Sequence, residues 1–341
     1  MKKRCCLYFL KPRQVEVRQE ALKSAAAGEV VVQTLVSAIS PGTEMLLYRG
    51  QFPKHLQADI CLPGMNKEFA YPIAYGYACV GKVIEIGQNV SPDWLGRLVF
   101  AFQPHASHFV APMQHLLPVP AGYSPETACF LANTETAVNL VQDAAPLLGE
   151  QALVLGQGIV GLLTTALLHE FPLASLVTAD RYPLRRTASQ ALGVTACLDP
   201  ASSDFVSHIK DLLPNGSDLT FELSGVPQAL NLALKLTGFS GRIIIGSWYG
   251  EKSTGLDLGG AFHRSRIKLI SSQVSTIAPC LSGRWDKTRR FNVAWEALSR
   301  IHPERWITHR FPIEQAAEAY RLLDDSADQT IQIIFDYAGN P

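Results

Sequence analysis

Runs rich in Val and Ile, separated by turn-forming residues, dominate the first 120 positions. Residues 29–39 (EVVVQTLVSAI), 79–86 (CVGKVIEI), 97–102 and 108–118 read as strands. Ala27-Gly28, Pro41-Gly42, Pro63-Gly64 and residues 87–89 punctuate them. Many short strands at irregular spacing predict a small barrel or a partly open sheet. The texture changes at Ser124-Pro125-Glu126, a helix-start signal. From Gln151 onward apolar strands alternate with amphipathic helices: strand 152–155, helix 159–170, strand 175–180, helix 183–192, strand 219–223, helix 227–236, then Ile243-Ile244-Ile245 and a strand 267–270. That alternation predicts βαβ units and a parallel sheet covered on both faces, with the all-Ile run buried on both sides. A closing segment holds helices 286–300 and 313–323 and a strand 330–337. The expected fold class is α/β: a doubly wound parallel sheet of Rossmann type plus a β-rich N-terminal domain completed by the C-terminal segment.

Length and charge narrow the partners. A chain of 341 residues suits two domains, and 47% hydrophobic residues give it a substantial core. Lys plus Arg and Asp plus Glu number 30 each, so no long-range field draws the chain to nucleic acid or an anionic membrane. A small-molecule substrate is the expected partner. No window approaches the ~18 uninterrupted apolar residues of a membrane helix. The start, MKKRCCLYFL, imitates a secretion signal, but its apolar stretch ends at Lys11-Pro12 without a small-residue cleavage site. Cys5, Cys6, Cys61, Cys79, Cys129, Cys197 and Cys280 are odd in number and form no CxxC, which suits a reduced, cytoplasmic protein.

The most informative stretch is Gly156-Gln157-Gly158-Ile159-Val160-Gly161, set between an apolar strand and an apolar helix. GxGxxG alone is a weak signal. Here Asp180 closes the next strand, nineteen residues after Gly161, as a dinucleotide site requires. Gly156 permits the tight turn, Gly158 lets a pyrophosphate approach the backbone, and Gly161 lets helix and strand pack. The diphosphate would lie at the helix N-terminus, where free N–H groups of Ile159 and Val160 favour an anion. Asp180 would accept hydrogen bonds from the adenosine ribose and repel a 2′-phosphate. This favours NAD, with NADP the alternative because Arg181, Arg185 and Arg186 follow.

With these features the chain resembles the medium-chain dehydrogenase/reductase superfamily along essentially its whole length. The landmarks run in order: residues 37–44 (SAISPGTE), 75–81 (YGYACVG), Gly96-Arg97-Leu98-Val99, His108-Phe109-Val110, Leu117-Pro118-Val119-Pro120 and the glycine fingerprint. The resemblance implies a GroES-like catalytic domain of residues 1–133 with 275–341, around a Rossmann domain of 134–274, in a homodimer. Zinc-dependent members carry a Cys matching Ser40, a His matching Tyr77 and a third ligand near Ala132, and they often have a four-cysteine structural loop. None of these ligands is present here, so the resemblance implies a zinc-independent member. Ile39 to Glu44, Tyr77, residues 307–310 (ITHR) and 316–320 (AAEAY) are similar to the subgroup of bacteriochlorophyllide dehydrogenase. Residues 133–137 (NTETA), 247–250 (SWYG), 271–274 (SSQV) and 284–286 (RWD) resemble zinc-binding-alcohol-dehydrogenase-like relatives more closely, so the pigment substrate is not carried over.

Hydride transfer needs a partner for the substrate oxygen; without zinc this is a hydrogen-bond donor or proton relay, or the substrate delocalises the charge itself, as a quinone or enone does. Tyr77 is expected either to donate its phenol or to plug the empty site. Thr43 and Glu44 are relay candidates, although Glu44 equally suits a helix cap. His105 is a proton shuttle or a solvated loop residue, and His108 packs on a strand. Glu135 is a base or a favourable charge at a helix N-terminus. Ser224, with Glu222 before it, and Ser247, Trp248 and Tyr249 end strands on the cofactor side of the sheet; the last three could instead pack between domains. His263, Arg264 and Arg266 read as solvated, and Arg284, Trp285, Arg289 and Arg290 as a helix face or oligomer contact. The expected activity is zinc-independent hydride transfer between the cofactor and a small alcohol or ketone. The alternatives are reduction of an activated C=C bond or quinone, and cofactor binding without catalysis.

Overall fold

A computed structural model describes residues 2–53 and 70–337. Cys61 and the turn at Pro63-Gly64 lie outside the described residues. The chain forms two compact units, residues 1–132 with 298–341, and residues 133–297.

In the second unit, six parallel strands lie in the order Ala196–Leu198, Ser175–Ala179, Gln151–Leu155, Ser217–Glu222, Thr237–Ile245, Lys268–Ser271. Chain order reverses across the Gln151–Leu155 strand, the crossing point where doubly wound sheets hold ligands. Leu153, Leu155, Val177, Ala179 and Ile243 pack with Phe205, Ile209, Ala233 and Leu234 from the covering helices. Strand Ala196–Leu198 and helix Phe205–Leu212 were not marked by the sequence pattern.

In the first unit, a seven-stranded sheet runs Ile307–Pro312, Gln332–Asp336, Glu29–Ala38, Cys79–Ile86, Leu98–Ala101, Leu116–Pro118, and His108–Pro112 pairs beside Glu29–Ala38. Residues 108–118 are thus two strands rather than one, broken by the turn Met113–His115. The N-terminal residues Lys3–Lys11 form a strand antiparallel to Gln14–Ala21. Leu7 and Phe9 are buried with Ile39, Leu47, Tyr320 and Phe335, so the C-terminal helix Ala316–Asp325 and strand Gln332–Asp336 complete this core.

The second unit extends to residue 297, beyond the expected return at 275. Arg290 explains why: it is fully buried and donates to the carbonyls of Val274 and Thr276, binding this segment into the unit.

Candidate functional site

The Gln151–Leu155 strand pairs Leu155 with Ala179 on one side and Glu222 on the other, so three strand ends meet at one edge. Gly156 follows with φ +98°, and a Cβ there would stand 2.6 Å from Leu223 C and Ser224 N. A Cβ on Gly161 would lie 2.0 Å from the Gly156 carbonyl oxygen. Both glycines are therefore required by packing. Gly158 differs: the nearest atom to its Cβ would be Arg185 Nη1 at 3.8 Å. It caps the helix Ile159–His169 without a side-chain hydrogen bond, leaving an open cradle before first-turn N–H groups. This cradle fits a dinucleotide pyrophosphate.

Asp180 is buried, and its carboxylate accepts the N–H groups of Gln157 (2.7 Å) and Tyr182 (2.9 Å), which anchor it beside the glycine turn. Arg181 and Arg185 lie over the Tyr182 ring at 5.1 and 4.9 Å, while Arg186 binds the Asp180 carbonyl and Asp199. At the end of the neighbouring strand Glu222 is fully buried. It accepts hydrogen bonds from the Ser224 N–H (2.9 Å), the Ser224 hydroxyl and the Tyr249 phenol. Burial and the adjacent Glu222 push the Tyr249 phenol well above its ordinary range. Ser247 accepts the Gly225 N–H at 2.9 Å, and Trp248 stays exposed between these two fixed neighbours.

Glu135 is buried in the second unit, and one of its oxygens accepts from Lys287 Nζ (2.5 Å) and Arg290 Nε (3.0 Å). Arg290 also reaches Asn139 Oδ1 at 2.5 Å. The expectation that Arg289 and Arg290 both belong to a helix face or oligomer contact is corrected for Arg290, which is fully buried. Successive helical residues point about 100° apart, so Arg289 stacks on Trp285 at 4.1 Å while Arg290 turns inward. Arg290→Met should lower unfolding stability by about 3 kcal/mol in urea titration, because among the described residues Glu135 then stays buried with Lys287 as its remaining cation. His263, Arg264 and Arg266 are exposed.

In the first unit a second group of polar side chains converges. Ser40 follows the strand Glu29–Ala38, Thr43 and Glu44 open the helix Thr43–Tyr48, and Tyr77 precedes the strand Cys79–Ile86. The Tyr77 phenol donates to Ser40 Oγ and reaches Thr43 Oγ1 at 3.5 Å. Glu44 is fully buried; Oε1 accepts the Ser40 N–H (2.8 Å), and Oε2 accepts His105 Nε2–H (3.0 Å) and the Tyr320 phenol. His105 Nδ1 lies 2.6 Å from Ser37 Oγ, which lies 2.7 Å from the Tyr337 phenol. One proton arrangement satisfies the row: Tyr337 donates to Ser37, Ser37 to Nδ1, and Nε2–H to Glu44. Burial raises the Tyr320 and Tyr337 phenols far above their ordinary range, so they act as donors.

His105 is therefore no solvated loop residue; it is fully buried because the Leu7 N–H bonds its carbonyl (3.0 Å) and its own N–H bonds Tyr75 (3.2 Å). His108 is buried on its strand, as expected, and burial lowers its pKa. Sequence reasoning missed Ser37, Tyr320 and Tyr337. One signal was available: a lone carboxylate before Met45-Leu46-Leu47-Tyr48 demands buried partners.

The Ser40 and Tyr77 hydroxyls bond each other, and neither they nor the Ala132 methyl supplies a thiolate or an imidazole. These residues do not fit a catalytic zinc. Among the described residues no cluster of three or more His, Cys, Asp or Glu is arranged to hold a metal ion.

A family described as zinc-binding dehydrogenase matches residues 160–291. D-guloside 3-dehydrogenase of Escherichia coli K12 is 24% identical over 265 residues, covering 76% of each chain. L-threonine 3-dehydrogenase of Pyrococcus horikoshii is 25% identical over 349 residues, 90% of this chain and 91% of that one. Among solved structures, an Escherichia coli alcohol dehydrogenase complexed with NADH superposes with TM-score 0.80 at 18% identity, over 98% of this chain and 99% of the other. A zinc-binding dehydrogenase of Sinorhizobium meliloti bound to NADP gives 0.79 at 17%, over 98% and 100%. The architecture above is shared with these dehydrogenases.

Proposed function

We propose that this chain, an oxidoreductase whose matches support the medium-chain dehydrogenase/reductase superfamily, interconverts a small alcohol and its ketone without zinc. What supports this reading is the Tyr77–Ser40 hydroxyl pair, at the positions where the resemblance implies metal ligands in zinc-dependent members. A bound nicotinamide supplies or accepts the hydride. The remaining chemistry falls to the chain. As a carbonyl is reduced, its oxygen gains negative charge and needs a donor already in position. Tyr77 directs its phenolic proton at Ser40 Oγ and can redirect it to that oxygen. The Ser40 hydroxyl then donates to the tyrosine oxygen, and Thr43 stands by as a further hydroxyl. In the reductive direction the proton passes from Tyr77 to the alkoxide, and solvent restores it. Phenols have a pKa of about 10, low enough to protonate an alkoxide and high enough to hold a proton at neutral pH.

In the second unit Gly156, Gly158, Ile159, Val160 and Gly161 hold the pyrophosphate, and Asp180 with Arg181 holds the adenosine ribose. Asp180 favours NAD: a 2′-phosphate would meet a carboxylate anchored by two backbone N–H groups. Ser224, Ser247, Trp248 and Tyr249 flank the nicotinamide end of the same sheet edge. Glu135, committed to Arg290 and Lys287, serves structure rather than proton transfer. No helix among the described residues is long and apolar enough to cross a membrane. A cytoplasmic location, supported by free cysteines at every described position, and a homodimer complete the reading.

The experiment is a panel of secondary alcohols, polyols, ketones, enones and quinones with NAD(H) and NADP(H), run before and after dialysis against a chelator, with zinc counted by mass spectrometry. We expect alcohol or ketone turnover with NAD(H) that survives chelation. Stoichiometric zinc whose removal abolishes turnover would sink the proposal, and activity confined to enones or quinones would replace the substrate class.

A further inference from the structure

The Tyr77–Ser40 reading leaves His105 and Glu44 without a chemical task, although both side chains are fully buried. A buried, potentially charged pair carries a large desolvation cost, so a fold that keeps one needs a reason for it. His105 reaches both halves of the hydroxyl pair. On one side its Nε2–H bonds Glu44 Oε2 at 3.0 Å, and the other oxygen of that carboxylate holds the Ser40 N–H at 2.8 Å. On the other side the ring lies against Gly76, the residue before Tyr77. A Cβ at Gly76 would come within 2.7 Å of Cδ2 and 2.8 Å of Nε2, and φ there is +126°. The backbone N–H of His105 also bonds the carbonyl of Tyr75. The imidazole itself is held by Ser37 Oγ and by the edge-on Phe335 ring, centroids 5.0 Å apart.

We propose that His105 is the positioning residue of the oxygen-binding site, setting Ser40 through Glu44 and Tyr77 through Gly76 and Tyr75. It touches no substrate; it fixes the distance and direction of the donor that does. The inference rests on the Tyr77–Ser40 reading for its functional meaning, while its geometry stands by itself. Tyr320 and the Ser40 N–H also donate to Glu44, so loss of His105 leaves that carboxylate two partners. Among the described residues, the three atoms nearest a Cβ at Gly76 all belong to the His105 ring.

The test uses 3-fluorotyrosine at position 77 of the full chain, read by fluorine NMR with and without NADH, in the parent, Ser40→Ala, His105→Leu and His105→Gln. Ser40→Ala and His105→Leu are expected to shift the resonance comparably. His105→Gln should lie nearer the parent, because its amide can still donate to Glu44. In turnover, His105→Leu should lower kcat roughly 10- to 100-fold, with KM and the NADH Kd within about twofold. The same substitution should add little in a Tyr77→Phe background, since both act on one donor. A fluorine resonance unmoved by His105→Leu but moved by Ser40→Ala would overturn the positioning role and leave the Tyr77 reading standing. Full activity of Tyr77→Phe would instead sink that reading while the fluorine arm still judges the geometry. Should His105→Leu fail to fold, Glu44→Gln takes its place: its amide would face two donors, and an unmoved resonance there overturns the proposal equally.

Discussion

Tyr77→Phe is expected to lower kcat/KM about 10²- to 10³-fold, the loss typical of removing one oriented donor from a developing oxyanion. Most of the loss should fall on kcat. The substrate oxygen is neutral in the ground state and negative in the transition state, so the phenol's hydrogen bond strengthens as the reaction proceeds. NADH affinity, read by fluorescence titration, should stay within about twofold, because the groups proposed to hold the cofactor all lie in the second unit. Stability should fall by no more than about 1.5 kcal/mol, since the ring remains and the phenol's partly buried hydrogen bonds to Ser40 and, at 3.5 Å, to Thr43 are lost. Ser40→Ala should be milder, roughly tenfold in kcat, because Tyr77 keeps its proton and loses only its orienting partner. Steady-state kinetics on the alcohol and ketone found in the substrate panel check both. Tyr77→Phe with undiminished kcat would remove the phenol from the chemistry and assign it to filling space.

The two candidate centres were unequally legible. The glycine turn is local: a left-handed Gly156 and the tight approach of Gly161 to Gly156 are demanded within six residues, so the spacing in the chain already carries the geometry. Asp180 follows from strand length. The Glu44 group is the opposite case. Tyr320 and Tyr337 reach Glu44 and Ser37 across 276 and 300 residues of chain. In the sequence each tyrosine falls on an apolar face and reads as core; its hydroxyl has a task only once the C-terminal strand is laid beside Glu29–Ala38. His105 was visible as a candidate, but its burial was not. That depends on the strand Lys3–Lys11, which bonds residues on both sides of the Ala106 position. The charged N-terminal start followed by a continuous apolar stretch imitates a secretion signal and did not mark a strand. Arg290 shows a further limit. Two adjacent arginines look alike in composition, and only the helix phase relative to Glu135 decides which is buried.

Gly158 and Gly161 should respond oppositely to alanine, and the contrast tests the cofactor cradle. A methyl on Gly161 would sit 2.0 Å from the Gly156 carbonyl oxygen, so the helix must move off the strand. Stability should drop by about 3 kcal/mol, with cofactor affinity lost as a secondary effect. Among the described residues, a methyl on Gly158 meets nothing closer than Arg185 Nη1 at 3.8 Å. The backbone there has φ −67°, which any residue adopts, so Gly158→Ala should cost at most about 1 kcal/mol, the difference between Gly and Ala at a helix N-cap. The same methyl would occupy the space through which a pyrophosphate approaches the first-turn N–H groups. NADH affinity should therefore weaken roughly 30-fold, equivalent to about 2 kcal/mol. Urea unfolding and NADH fluorescence titration on the two variants separate the effects: a folded protein that binds poorly in one case, an unstable one in the other. If Gly158→Ala binds NADH as tightly as the parent, the diphosphate does not lie on this backbone.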